Sequence, residues 1–330
     1  MGKQHSKTTA IEGSKISYNT QKDTKFTCVF TPEVNTIFVV LAEMLDCYDM
    51  CHLSQTCKLL RDSVKFVYHL SGDQSITNRL YTFRYLTTLT IETHDKCRNA
   101  DDCGKYCSAC ADLTSVSRLQ NLRDLRITAY GIKSGVIALS KLTKLRKLYL
   151  KNMDLNDLAI ASISCITNLE ELALRNNGNI KSINHLKNLT NLKKLSIEST
   201  VVGYVDILDG FSKLESLSLW FSRIEAIEIS KYLLNLKTLD ISQNNIQSIE
   251  FLNFLPGLTD LNLSANRHLV DIKALAVLFN LETLNLGFTE VDDVTPLHNL
   301  PKLHLLNICR TKVKAEDLKT LRSIKQLHIS

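Results

Sequence analysis

The sequence predicts an α/β fold, a repeat solenoid with a parallel β-sheet on its concave face and short 3₁₀ or irregular segments on its convex side. A helical module is predicted ahead of the repeats. Two observations support this fold class. The pattern Leu-x-x-Leu-x-Leu, with Ile replacing some leucines, recurs from Leu122 to Ile324 at intervals of 21 to 24 residues. Apolar residues recur at helical spacing between residues 30 and 60, and a fixed period of this length indicates units that bury their apolar faces against one another.

Each repeat is numbered here from its first leucine, so that apolar side chains stand at positions 1, 4 and 6. Positions 4 and 6, such as Leu239 and Ile241, lie two residues apart and therefore point to the same side of a strand. Position 9 carries a residue that can form hydrogen bonds in most repeats: Asn177, Thr200, Ser222, Asn244, Asn266, Thr289 and Thr311. His94, Tyr130 and Met153 depart from this pattern, so we expect the bend after the strand to be least regular in the early repeats.

These spacings resemble the 22-residue class of leucine-rich repeats found in internalins and in a phosphatase regulatory subunit. The segments 244–252 and 291–297 fit that class closely, and the resemblance covers about residues 80–330. It implies a solenoid over residues 72–330 with about eleven strands, 3₁₀ turns on the convex side and a buried asparagine ladder bonded to loop backbone. The concave surface of such a solenoid is its usual recognition face.

The residues between the apolar positions are predicted to form that recognition face. Its early repeats are basic, one repeat in the middle carries the single tryptophan, and the later repeats form a polar column with little charge. Exposed aromatic residues flanked by basic ones are typical of interface hot spots. The alternative is that Phe221 tucks under the loop and that the lysines are merely solvated. The predicted partner-binding residues are Arg126, Lys147, Tyr149, Lys151, Arg175, Glu198, Trp220, Phe221, Asp240, Asn262, Asn285 and Asn307.

Residues 1–25 are rich in Lys, Thr and Ser and are predicted to form a flexible arm. Gly2 follows Met1, and Ser6 and Lys7 stand at the spacing of an N-myristoylation signal. This start resembles that of neuronal calcium-sensor proteins, which implies an acyl chain on Gly2 and contact with a membrane surface. One acyl chain binds a membrane only marginally, so nearby lysines would have to help. The alternative is an ordinary Met-Gly start.

Residues 26–71 resemble an F-box, the short helical module that docks onto the Skp-type adaptor of cullin–RING ubiquitin ligases. A proline at a helix entry is followed by two apolar stripes. The resemblance implies adaptor contacts by Pro32, Ile37, Leu41, Leu45, Met50, Leu53 and Leu60. Thr31 and Leu60 depart from the F-box pattern, which usually has leucine and tryptophan there. The alternative is a helical cap that covers the open apolar end of the repeats.

A cysteine-rich insert is predicted over residues 94–118, where one repeat interval stretches to 36 residues. Four thiols with one close pair are suited to tetrahedral zinc, and the predicted ligands are Cys97, Cys103, Cys107 and Cys110. The spacing between Cys97 and Cys103 matches no known zinc module. A reduced, mobile loop is the alternative.

Several functions are disfavoured by the sequence. It contains no phosphate loop, nucleophile elbow or His-Glu-x-x-His motif, so we expect no enzyme. A net charge of +6 is too small to predict nucleic-acid binding. The polar start and the lack of long apolar runs predict a cytoplasmic protein, peripheral to membranes if acylated.

The predicted function is an F-box/leucine-rich-repeat substrate adaptor of a ubiquitin ligase. The alternative is a membrane-tethered scaffold or phosphatase-type regulator in which residues 30–70 are only a cap.

Overall fold

The structure is a computed structural model. It describes residues 8–10, 15–19, 25–30, 64–70, 87–93, 113–114, 116–128, 135–229, 231, 233–321 and 324–329, with only the backbone described for residues 8–30, 64–70, 91–93 and 320 within these ranges. The chain divides into two compact units, Met1–Asp154 and Leu155–Ser330.

The first unit contains seven described strands and two 3₁₀ helices. Strands β1 to β4 pair with one another in antiparallel fashion, and β4, β5, β6 and β7 pair in parallel. The strands are β1 (Thr8–Ala10), β2 (Lys15–Asn19), β3 (Lys25–Phe30), β4 (Val64–Leu70), β5 (Thr88–Thr93), β6 (Asp124–Thr128) and β7 (Lys147–Lys151), and the 3₁₀ helices are Val116–Arg118 and Val136–Lys141.

The N-terminal part of this unit differs from the sequence prediction. The expected flexible arm over residues 1–25 contains β1 and β2, and the expected helical module over 26–71 has strands at both ends, β3 and β4. The physical reason is composition, since Phe and Val are frequent in β3, and Val, Phe and Tyr in β4, and these residues favour strands. The helices predicted between residues 31 and 63 lie outside the described residues. So do all seven predicted F-box contacts, Gly2, and the four predicted zinc ligands.

The second unit contains ten described strands, of which eight form one parallel sheet in the order β8, β9, β11, β13, β14, β15, β16, β17. These are β8 (Glu171–Arg175), β9 (Lys194–Glu198), β11 (Ser216–Ser218), β13 (Thr238–Asp240), β14 (Asp260–Asn262), β15 (Thr283–Asn285), β16 (Leu305–Asn307) and β17 (Gln326–His328). The other two, β10 (Tyr204–Val205) and β12 (Ala226–Ile227), pair in parallel with each other. Together with β5, β6 and β7, the eight give eleven described repeat strands within residues 72–330.

The core consists of the repeated apolar positions. Leu214, Leu217 and Leu219, at positions 1, 4 and 6 of one repeat, are all buried. Equivalent residues of adjacent repeats face each other across the sheet, as Leu217 does with Leu195 and Leu239. In the strands β6, β7, β8, β11, β13, β14, β15 and β16 buried and less buried residues alternate, in agreement with the predicted register.

The segments that return from one strand to the next are short, as the repeat length predicts. Most contain 3₁₀ helices: Asn184–Asn188, Leu208–Gly210, Glu250–Phe254, Lys273–Val277, Thr295–Leu297 and Asp317–Thr320. The longest of the predicted intervals between Leu122 and Ile324, 24 residues, accommodates an α-helix, α1 (Asp157–Ile163), whose first turn is capped by Asn156 accepting from the Ala159 amide. Two extra residues are therefore enough to replace a 3₁₀ helix by a short α-helix.

Two of these turns are capped by a carboxylate. Asp271 Oδ1 accepts from the Lys273 amide, and Asp293 Oδ1 accepts from the Thr295 amide, each at 2.8 Å. These backbone hydrogen bonds stabilise the charged form and lower the pKa of both carboxyls. On the same side of the unit, a hydrogen bond to Glu228 raises the pKa of Tyr204 to about 12.

Buried polar side chains at position 9 bind the turn that follows each strand. Asn244 Oδ1 accepts from the Ser222 and Ile224 amides at 2.9 Å, and its Nδ2 donates to the Leu219 and Ile241 carbonyls at 2.8 and 2.9 Å. Asn177 and Asn266 are fully buried and bond loop backbone in the same way. The predicted asparagine ladder is thus confirmed.

Other residue types make fewer bonds at position 9. The Ser222 hydroxyl donates to the Ile197 carbonyl at 2.8 Å, and Thr289 donates to Leu286 within its own repeat at 2.7 Å. The buried Thr200 Oγ1 has no hydrogen-bond partner among the described residues, and Met153, also buried, has no polar side-chain atom that could replace asparagine. The ladder is therefore strongest between Asn244 and Asn266.

Substituting Leu217 by Asp is predicted to unfold the neighbouring repeats, because it places a charge among buried leucines. The expected loss of unfolding free energy is at least about 4 kcal/mol. Ser216→Asp is the matched control, since Ser216 is half-buried beside Lys194 on the opposite side of the strand, and its effect should stay within about 0.5 kcal/mol. Chemical denaturation of both variants measures the difference. Equal destabilisation would mean that the strand register is wrong.

Candidate binding surface

The strand face is defined here as positions 3, 5 and 7 of the repeats, the side chains that stand between the buried leucines. Of the twelve residues for which a binding role was predicted, eleven occupy this face. The exception is Phe221, which stands at position 8.

In the second unit, Trp220 and Phe221 form an aromatic pair at the end of β11. Their ring centroids are 5.9 Å apart with an interplanar angle of 39°. Trp220 is half-buried and Phe221 is 55% exposed, so Phe221 does not tuck under the loop. Adjacent repeats fix the backbone on both sides, because the Ser199 amide donates to the Trp220 carbonyl and the Phe221 amide donates to the Ser242 carbonyl. The pair is therefore displayed from a rigid site.

The exposure of Phe221 follows from its backbone conformation. Position 8 has a positive φ in eight successive repeats, at Asn152, Asn176, Ser199, Phe221, Gln243, Ala265, Phe288 and Arg310, with values between 53° and 61°. This left-handed conformation is unfavourable for residues other than glycine, and it turns the side chain out of the strand alternation. In this repeat the Phe221 amide donates a backbone hydrogen bond to the Ser242 carbonyl of the next repeat.

Phe288, the second aromatic residue at position 8, was not among the predicted binding residues. It is 50% exposed, and the Arg310 guanidinium carbon lies 5.4 Å from its ring centroid, within cation–π range. The signal was present in the sequence, because Phe221 and Phe288 occupy the same position of the repeat. The alternation of side chains along the strand ends at position 7, so it does not predict the direction of a residue at position 8.

On one side of Trp220, the strand face carries a fixed ion pair. Arg175 Nε lies 2.7 Å from Glu198 Oε2, and a second guanidinium nitrogen donates to Glu198 Oε1 at 3.0 Å. Ser196 also donates to Glu198, at 2.7 Å. Glu198 is buried while Arg175 remains exposed. The Glu198 carboxylate therefore positions Arg175, and the guanidinium is the group available to a partner.

On the other side of Trp220, the side chains at position 7 become small. Ser242, Ser264 and Gly287 follow in successive repeats. A Cβ atom at Gly287 would lie 3.3 to 3.4 Å from Asn285 Oδ1, Asn307 Oδ1 and the Cys309 carbonyl, so there is little room for a larger residue. The indole thus stands at the edge of a low, polar surface.

That surface is built from a repeated hydrogen bond between positions 5 and 7. Oδ1 of Asp240, Asn262, Asn285 and Asn307 accepts from the amide two residues later at 2.9, 3.2, 3.0 and 2.9 Å. Asn262 also donates to Asp240 Oδ2 at 3.2 Å. These side chains are half-buried. They cap the strand ends, which restricts the contacts that they can offer to a partner.

In the first unit, the strand face is basic and contains a stacked pair. The Arg126 guanidinium carbon lies 4.0 Å from the Tyr149 ring centroid. Asp124 holds the same guanidinium through contacts of 3.2 and 3.3 Å. Lys147 lies beside Asp124 in the pairing of β6 with β7, and Lys151 ends β7. Arg126 and Lys151 are exposed, while Lys147 and Tyr149 are half-buried.

Neither a metal centre nor a membrane span occurs in the described part of the chain. The His, Cys, Asp and Glu residues described there form no group of three or more that could hold a metal ion. The helices found there are too short or too polar to cross a bilayer.

Comparison with known proteins identifies the repeat. Residues 234–277 match the family model for leucine rich repeats (2 copies). No curated protein sequence matches the chain.

Solved structures share the fold at low sequence identity. An internalin (inlF) of Listeria monocytogenes has a TM-score of 0.56 and 20% identity, covering 81% of this chain and 86% of its own. A leucine-rich-repeat protein of Leptospira interrogans has a TM-score of 0.52 and 20% identity, covering 76% and 74%. The TLR13–ssRNA13 complex has a TM-score of 0.57 and 20% identity, covering 79% of this chain and 38% of that one. The chain therefore carries leucine-rich repeats and has internalin-like structural neighbours.

Proposed function

We propose that this chain is a non-enzymatic leucine-rich-repeat scaffold that binds a partner protein through the strand face of its second unit. The single observation that carries the proposal is the Trp220–Phe221 pair, two aromatic rings displayed on a backbone held by hydrogen bonds from both neighbouring repeats. A rigid aromatic anchor loses little conformational entropy on binding, which is why tryptophan and tyrosine are enriched at hot spots.

The surroundings of the pair define the partner that fits it. Arg175, fixed by Glu198, offers a planar cation on one side of Trp220. Ser242, Ser264 and Gly287 leave a low surface on the other side. An apolar partner side chain can pack against the indole from that side while an acidic or carbonyl group meets Arg175. A recognition segment with an apolar residue next to an acidic one satisfies both contacts.

The fold supports a binding role in general terms. TLR13 was solved with an RNA ligand, and the plant receptor RGFR1, another structural neighbour, was solved in complex with the peptide hormone RGF2. Both show that this repeat architecture can present ligand-binding surfaces. The aromatic pair Trp220–Phe221 is what favours a protein over a nucleic acid as the partner of this chain.

Replacing Trp220 by Ala is predicted to weaken binding of the captured partner by at least about 2 kcal/mol, as the loss of a buried aromatic anchor does. The melting temperature should change little, because the indole points away from the leucine core. The measurement pairs thermal melting with affinity for a partner identified by cross-linking to the wild-type chain.

Phe279→Ala is the matched control for this experiment. Phe279 is 56% exposed, close to the 55% of Phe221, but it stands two residues before Leu281, outside the strand face. Phe221→Ala should weaken binding and Phe279→Ala should not. Equal effects of the two phenylalanine variants, or an unchanged affinity of Trp220→Ala, would reject the proposed surface.

A more specific function, suggested by the resemblance of residues 26–71 to an F-box, is that of a substrate adaptor in a cullin–RING ubiquitin ligase. Ile37→Asp combined with Leu53→Asp is predicted to abolish capture of the Skp-type adaptor while the repeats stay folded. Size-exclusion chromatography with the purified adaptor measures this at about micromolar concentration, an affinity range typical of specific complexes. A wild-type chain that never captures the adaptor would leave residues 30–70 as a cap and favour the scaffold or phosphatase-type regulator.

We further propose that an acyl chain on Gly2 attaches the protein to a membrane surface from the cytoplasmic side. Gly2→Ala keeps the α-amine but replaces the glycine that the myristoylation signal requires, so the variant should shift from membrane to soluble fractions. Intact mass measures the acyl group directly. Identical masses apart from the substitution, or identical fractionation, would reject this attachment.

A further inference from the structure

The first unit concentrates positive charge on its repeats. Its described residues between 113 and 154 include two acids, Asp124 and Asp154. The same residues include eight cations: Arg118, Arg123, Arg126, Lys141, Lys144, Arg146, Lys147 and Lys151. The excess of six positive charges in this segment equals the net charge of +6 carried by the whole chain. The modest overall charge therefore conceals a strongly basic segment.

Part of this charge lies on and beside the strand face. Arg123 and Arg146 are exposed immediately before β6 and β7. Lys147 and Lys151 stand at the two ends of β7, four residues apart and hence about 13 Å along the strand. Arg126 lies between the two ends, on the neighbouring strand, opposite Tyr149. The face thus has cations at both ends and a stacked arginine in its middle.

The arginine in the middle is already oriented. Asp124 binds one edge of the Arg126 guanidinium, and the Tyr149 ring covers one of its faces at 4.0 Å. A side chain held by two neighbours loses less rotamer entropy when it binds a carboxylate than a free arginine does. The guanidinium is thus held in the centre of the cationic frame, where it adds to the positive charge of the face.

We infer that this basic face, made up of Arg123, Arg126, Arg146, Lys147, Tyr149 and Lys151, binds an acidic segment of a partner protein. In an extended segment, carboxylates on one side repeat about every 6.8 Å, so two intervals span the distance between Lys147 and Lys151. The inference rests on the proposed function, since it names the chemistry of a partner segment. It concerns residues of the first unit, whereas the Trp220 anchor belongs to the second.

The aromatic content of the face favours an acidic polypeptide over single-stranded nucleic acid. Sequence-tolerant binding of single strands relies on several aromatic side chains that stack successive bases. Tyr149 is the only Phe, Tyr or Trp among the described residues between 113 and 154, and Arg126 covers its ring. The positive charge of the face is then the feature that a partner must match, and the carboxylates of an acidic polypeptide match it.

The test measures binding of a labelled peptide of about ten glutamates to the full chain by fluorescence anisotropy. A glutamine peptide and a single-stranded oligouridylate of equal length are compared with it. The glutamate peptide is expected to bind most tightly and to weaken as salt is raised, because exposed charges are screened. Arg146→Glu with Lys147→Glu should reduce its affinity at least about tenfold, because two of the five cations on the face are reversed in charge.

Lys302→Glu with Lys314→Glu is the control, since it makes the same change in net charge at exposed lysines of the second unit. Its effect should be less than about threefold, because neither lysine belongs to the basic face and exposed charges outside it are screened. If Arg146→Glu with Lys147→Glu unfolds the first unit, Arg146→Gln with Lys147→Gln replaces it. This variant should again lose more affinity for the glutamate peptide than the control does, but less than the charge reversal. Equal effects at the two pairs, no binding of the glutamate peptide, or tighter binding of oligouridylate would each overturn the inference. Trp220→Ala should leave peptide affinity unchanged, so failure here is distinguishable from failure of the proposed function.

Discussion

The hydrogen bonds of the buried side chains at position 9 are the interaction on which the rest of the second unit depends. A strand that ends every 22 or so residues leaves buried backbone donors and acceptors in the turn that follows. Unsatisfied groups of this kind cost about 1–3 kcal/mol each. Asn244 and Asn266 satisfy several of them at once, by accepting from amides of the previous repeat and donating to carbonyls of two repeats. The leucines fill the core, and the asparagines fix where each turn begins.

The display of functional residues follows from this constraint. The side chain at position 9 is buried, and the residue before it adopts the left-handed backbone conformation, before Met153 and Thr200 as well as before the asparagines. Phe221 and Phe288 are exposed for that reason. Position 7 is the last position of the strand face. A large side chain there, such as Trp220, projects from the face, whereas Gly287 leaves the face flat. The same rule generates a varied binding surface without altering the core.

Much of the fold could be predicted from the sequence, since a repeated pattern reveals both period and side-chain direction. The leucine positions followed from the repeat period and the outward direction of Trp220 from strand alternation, whereas the asparagine ladder was implied by the resemblance to 22-residue leucine-rich repeats. The roles of Glu198 and of the column from Asp240 to Asn307 did not, because a residue's direction does not reveal its hydrogen-bond partner. Phe288 was missed because alternation ends where the backbone turns left-handed. The strands β1 to β4 were missed because their short apolar alternation is weaker than the repeat signal and lies beside helical spacing.

The central claim is that position 9, rather than leucine burial alone, determines the turns that display the binding surface. Asn244→Ala compared with Asn245→Ala tests it most directly, since adjacent asparagines are buried and exposed, respectively. Urea denaturation should show a loss of at least about 2 kcal/mol for Asn244→Ala, because buried amides lose their acceptor, and less than about 0.5 kcal/mol for Asn245→Ala. Equal unfolding free energies for the two variants would contradict the account.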